Sequence, residues 1–164
     1  MYEINVSGKN IVIEFNNEEI AMKKDDQEIL KEVQKNSRMA VRAIEKIADT
    51  VYDDSLSYEL SREKLLYSAI HNKAVDRLTK EHADTYHKSA MEDMMLDSGI
   101  RMNTLLNNST SKVAELLIQG SNRGLTSMWK SVNNHKDSGS VSMEVAKELM
   151  DFEEKCIERL KKYL

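Results

Sequence analysis

Residues 26–52 read DQEILKEVQKNSRMAVRAIEKIADTVY, and the spacing of their apolar side chains decides the fold. Ile29, Val33, Ala40, Ile44, Ile47 and Val51 recur at steps of three, four and seven, with Leu30, Val41 and Ala48 widening the stripe. That period places them on one face of a helix. Asp25 or Asp26 is an N-cap, and Glu28 follows Asp25 by three residues as in a capping box. The spacing therefore predicts a helix over 26–52. From Lys9 to Ser98 there is neither glycine nor proline, and proline is absent from the whole chain. Proline breaks a helix interior, and glycine costs it ~1 kcal/mol relative to alanine. A stretch without either specifies long, stiff helices.

Working outward, Asp53-Asp54-Ser55 interrupts the first stripe and caps a second helix, expected over 57–96. Its apolar positions include Leu60, Leu65, Leu66, Ala69, Ile70, Ala74 and Leu78, and end at Met91, Met94 and Met95. Globular helices rarely run so long, and the polar stretch Lys80–Ala83 is the place for a break. Asp97-Ser98-Gly99 is a stop signal. A third helix begins near Ile100, carries Met102, Val113, Leu117, Leu125 and Met128, and reaches Val132. Within it, Asn107–Ser111 is either a loop or a polar part of one continuous helix, and Gly120 with Gly124 marks a kink or a close helix approach. The segment Asn133–Ser140 reads as a loop. Ser140 or Ser142 then caps a fourth helix over 142–163, with Val145, Leu149, Phe152, Cys156, Leu160 and Tyr163 on its stripe.

The N-terminal residues have a different period. Tyr2, Ile4 and Val6 alternate with polar residues, Ser7-Gly8-Lys9-Asn10 forms a turn, and Ile11–Phe15 is rich in β-branched side chains. That is a β-hairpin pattern. Glu18–Met22 reads as a third strand, with a helix starting at Glu18 as the alternative. The expected fold class is α+β and predominantly helical. An antiparallel hairpin or meander over 1–24 precedes an extended bundle of about four long helices over 25–164.

Composition narrows the function. Of the 164 residues, 40% are hydrophobic and 32% charged, and 24 basic residues interleave with 28 acidic ones. This is a solvated helical surface, not a basic footprint for nucleic acid. The single cysteine, Cys156, excludes an internal disulfide and points to a reducing compartment. The N-terminus lacks a basic stretch followed by a smooth apolar core, and no long apolar window suggests a membrane span. A cytoplasmic protein is the expectation.

Chemistry-bearing patterns are sparse. The densest polar cluster runs from Glu81 to His87, and within it only Asp84 and His87 have helical ligand spacing. There is no Glu-x-x-His and no zinc signature, so neither a metal nor another cofactor is expected. Cys156 lies on an apolar stripe, where a thiol is usually a small hydrophobe. Gly120-Ser121-Asn122-Arg123-Gly124 lacks the lysine ending of a phosphate loop. Trp129 reads as an anchor for the corner between the third and fourth helices.

These features favour a non-catalytic protein-interaction protein: an adaptor, an assembly factor or a small inhibitor of the phage or mobile-element accessory kind. Its partner is a protein of unspecified identity, and surplus apolar helix face favours a homo-oligomer, most simply a two-fold dimer. The partner-binding candidates are Met91, Met94, Met95, Met102, Arg123 and Trp129, because methionine makes adaptable surfaces. The alternatives are a small-ligand or metal-binding bundle using His82, Asp84 and His87, and a regulator that touches nucleic acid.

Overall fold

The computed structural model describes residues 2–6, 9–13, 22–87 and 109–164. Two strands, β1 (Tyr2–Val6) and β2 (Lys9–Ile13), pair antiparallel with Tyr2 opposite Ile13. Among the described residues there are four α-helices: α1 (Lys24–Ala48), α2 (Asp54–Lys80), α3 (Thr110–Asn134) and α4 (Ser140–Leu160), with a final 3₁₀ turn at Lys161–Tyr163. The chain is mostly helical, and none of its described helices is long and apolar enough to cross a membrane. Most of the segment expected as a third strand lies outside the described residues. Met22, at its end, belongs to no strand and packs on the core.

The helices α1 and α4 form the centre, each packing against all three of the others, while α2 and α3 flank them. The stripe read from residues 26–52 explains this position for α1. Ile29, Leu30, Val33, Ile44 and Ile47 are buried, together with Gln34 and Ser37. Ser37 avoids an unpaired hydroxyl by donating to the Val33 carbonyl at 2.7 Å. From the other helices, Leu56, Leu60, Met128, Leu149 and Leu160 complete the core.

The break in the glycine-free run uses no glycine. The helix α2 stops at Lys80, and His82 adopts a left-handed backbone with φ of 51°, the only positive-φ non-glycine residue among those described. The His82 amide donates to Thr79 O at 3.1 Å and the Ala83 amide to Leu78 O at 2.9 Å. These two bonds define a Schellman motif, which usually carries glycine at the position His82 holds. Ala83 then packs on the core, supplying the apolar contact that accompanies such an ending. The 57–96 helix thus ends early, at the polar place the sequence suggested, and residues 83–87 are not helical.

Other expectations change in their details. Asp53 caps α2, accepting from the Leu56 amide at 2.8 Å. By contrast, α1 has Lys23 at its N-cap with no side-chain capping bond. Asp25 and Asp26 instead reach across to the start of α4. Asp26 Oδ1 accepts from the Gly139 amide at 2.6 Å and from the Ser142 hydroxyl, and Asp25 Oδ2 accepts from the Asp137 amide at 3.0 Å. Gly139 is the N-cap of α4, so Asp26 does for α4 what neither Ser140 nor Ser142 does alone. A carboxylate there also meets the positive end of the α4 dipole. The helix α3 begins at Thr110 behind the cap Ser109, and it runs unbroken through Gly120 and Gly124.

Two stability measurements check this account by urea unfolding. Asp26→Ala is expected to cost about 1–2 kcal/mol, the value of a lost cap. His82→Gly is expected to raise stability by about 1 kcal/mol, because glycine removes the left-handed strain.

Candidate functional site

Helical phase carries acids into the core. On α2, Leu60, Glu63, Tyr67 and Ile70 follow one another at steps of three, four and three, and all are buried. On α4, Leu149, Phe152, Glu153, Cys156 and Leu160, at steps of three, one, three and four, are likewise buried. Glu63 and Glu153 are each only 2% exposed. A buried carboxylate is costly unless hydrogen-bonded or paired, so its partners matter.

Glu153 is held by hydroxyls. Tyr67 donates to Glu153 Oε2 at 2.7 Å, and Ser121 of α3 lies 3.5 Å from the Tyr67 oxygen, near enough to favour the charged form of Glu153. Gly124, one turn further along α3, gives the carboxylate room: a Cβ there would stand 3.0 Å from Glu153 Oε1. The glycine pair thus marks a close helix approach rather than a kink, and only at Gly124, since Gly120 faces open space.

Glu63 sits beside cations already engaged by a neighbour. Arg159 forms an ion pair with Glu59, which also meets Arg62 at 3.4 Å. The same Arg159 reaches Glu63 Oε1 only at 3.5 Å, and that oxygen accepts no hydrogen bond. Burial and then the Glu63 charge push Glu153 up to about 7 against the opposing pull of Ser121 and Tyr67. Burial raises Glu63 too, with Cys156 and Arg159 opposing and Glu59 adding to the rise. Burial and the Glu63 charge push the Cys156 thiol upward. A nucleophilic cysteine needs the opposite setting, electropositive and partly open; Cys156 is a fully buried core thiol.

Beside this cluster, α2 and α4 leave a groove of about 540 Å³. Leu66, Ala69 and Ile70 from α2 and Phe152 from α4 line its apolar part. Lys73 and Glu148 form an ion pair at 2.6 Å on its rim, where Lys147 and Asp151 also stand. Phe152 connects groove and cluster, meeting the Tyr67 ring edge-on at 4.7 Å between centroids. Leu65, one helical turn before the lining residue Ala69, is 72% exposed. Leu65, Leu66 and Ala69, counted from sequence among the apolar positions of this helix, are all exposed. Tyr67 takes the core-facing phase instead.

The sequence-predicted site residues do not come together. Met91, Met94, Met95 and Met102 lie outside the described residues. Arg123 is exposed on α3, and Trp129, six positions on, lies on a different face and is 52% exposed. Trp129 is thus half exposed, and its neighbour Met128 is the residue buried in the core. His82, Asp84 and His87 are all exposed and outside any helix, so helical ligand spacing does not apply to them. Among the described residues no group of three acids, histidines or cysteines is arranged to hold a metal. His71 and His135 instead bond backbone carbonyls through Nδ1, of Gln34 and Ser131 respectively. The sequence signal for the acid cluster was available. Glu63 and Glu153 occupy apolar phase positions, where a charged residue is an anomaly. No protein-family model, curated protein or solved structure matches the chain.

Substituting the two helical glycines separates open space from close contact. Gly120→Ala is expected to stabilise the protein by about 0.5–1 kcal/mol, the helix-propensity gain. Gly124→Ala is expected to fall clearly short of that gain, because Glu153 must give way. Paired urea titrations read the difference. Cys156 is expected to react with a thiol reagent only as fast as the bundle opens, which a comparison with the urea-unfolded chain would show.

Proposed function

We propose that this is a non-catalytic protein-interaction protein, an adaptor, assembly factor or inhibitor in kind, whose docking face is the α2–α4 groove. The observation that supports the reading is the exposed apolar strip Leu65, Leu66 and Ala69, of which Leu66 and Ala69 line the groove with Phe152 between charged residues of both signs. An apolar centre with a mixed charged rim suits an amphipathic helix laid into the groove. Burying Leu65 fully would contribute up to about 1.5–3 kcal/mol, and Leu66, only 39% exposed to begin with, less. The occupant on this reading is a helix of a partner protein, and a second copy of the chain is the competing occupant.

Placing a photo-crosslinking side chain at Leu65, with Thr126 on α3 as the exposed control, tests this in the producing cell. A crosslinked protein is expected from position 65 and not from 126, and the double substitution Leu65→Asp with Leu66→Asp is expected to weaken that association at least ~10-fold. A crosslink joining two copies at position 65 would replace the partner helix with a homodimer. Equal or absent crosslinking from the two positions would remove the groove as the docking face.

A further inference from the structure

The buried acids have a consequence that does not depend on what docks in the groove. Glu153 stands where three helices meet: Tyr67 reaches it from α2, and Ser121 and Gly124 face it from α3. On α2, Glu59 and Glu63 add two further carboxylates, and on α4 Cys156 and Arg159 complete the surroundings. From α1, Asn36 also approaches Gly124: its Oδ1 would lie 3.9 Å from a Cβ there. The Asn36 amide donates to Glu32, which also accepts from Ser127. Arg159 and Arg62 are both drawn to Glu59. Among the described residues, Glu153 is left with neutral donors, and one Glu63 oxygen with no hydrogen bond.

Neutral donors do not compensate a full negative charge in a medium that excludes water. Three carboxylates around so few cations are better accommodated when one is protonated, as when two like charges share a site. Among the described residues, Glu153 is the carboxylate that no cation holds, and it is also the one in contact with both flanking helices.

We propose that Glu153, with Glu63 as its charged neighbour, is a proton-binding switch that sets how tightly α2 and α3 pack on α4. With the proton on, the carboxyl is neutral and the junction holds no buried charge, which outweighs the stronger bonds that Tyr67 and Ser121 make to the charged form. With the proton off, the buried charge loosens that junction, and Tyr67 carries the change to Phe152. The physical direction follows from the difference between folded and unfolded states. Burial holds the folded Glu153 at about 7, while the unfolded chain has the ordinary value of 4.5. The folded protein then binds more protons between these limits, so the contribution is fully present below 4.5 and is lost as pH rises through about 7.

Urea unfolding of the full chain and of Glu153→Gln at several pH values between 5 and 8 tests the switch. Glutamine keeps the shape and cannot ionise. The variant is expected to be the more stable at pH 8, with the ratio of the two unfolding constants changing by tens of fold (~10–100) as pH falls to 5. A ratio constant across this range would overturn the proposal. Carbon-13 NMR titration of the wild-type glutamate carboxyls gives a reading that needs no variant to fold. A buried carboxyl with a midpoint near 7 is expected, and all glutamate midpoints at or below 4.5 would overturn the idea. In Glu63→Gln that raised midpoint is expected to fall, because a neighbouring negative charge has gone; an unchanged midpoint would rule out Glu63 as its partner in the switch.

Discussion

The carboxylate of Glu153 is the constraint around which the bundle is arranged. The two outer helices, α2 and α3, are separated by the central pair, and the Glu153 site joins them through Tyr67 on one side and Ser121 on the other. Its burial dictates the residues facing it. A hydroxyl must come from each outer helix, and one position on α3 must be glycine to leave space for the second oxygen. Tyr67 then fixes Phe152 by their edge-on contact, and Phe152 forms part of the α2–α4 groove. The interior and the exposed face are one connected arrangement, in which a proton, a ring and a groove share neighbours.

A second set of tethers works at the other margin of the structure. Lys23, Asp25 and Asp26, at the start of the central helix, engage Asp137, Gly139 and Ser142 across a long separation in sequence. They fix the turn between α3 and α4, so α4 enters the bundle in a set direction. Since Glu153 and Phe152 ride on α4, the placement of the acid site depends on this distant capping. The chain has a low aromatic share, and such directional polar contacts add specificity to a mainly aliphatic core, which tolerates repacking more readily.

Much of this fold was legible in the sequence because helical period and capping chemistry are local. The stripe of α1, the Asp53 cap and the loop between α3 and α4 all follow from residues close in the chain. Failures came where the answer depended on three dimensions. The Leu65 and Leu66 pair looked like stripe because both are leucine, yet Tyr67 and Glu63 hold the core phase. Asp26 looked like a cap for its own helix, and the helix it caps lies over a hundred residues away. His82 looked like a ligand, and its role at the end of α2 is conformational. The acid cluster required knowing that Glu63 and Glu153, each an anomaly on its own stripe, lie near each other in the same interior.

Retaining such a cluster runs against stability alone. Replacing a buried ionic or polar group by a well-packed hydrophobe of similar size is often neutral or stabilising. A leucine at 153 would satisfy the helical phase of α4 without requiring Tyr67, Ser121 and Gly124 to match it. Two physical reasons remain for carrying the acid. One is register: a hydroxyl-lined slot accepts one alignment of α3 on α4, whereas a greasy seam accepts several. The other is response, since only an ionisable group ties the packing of the bundle to the pH around it. Register needs a hydrogen-bonding group and no charge, so glutamine would serve it as well as glutamate. Only response needs the acid, together with the second acid, Glu63, whose charge raises the first one's affinity for a proton.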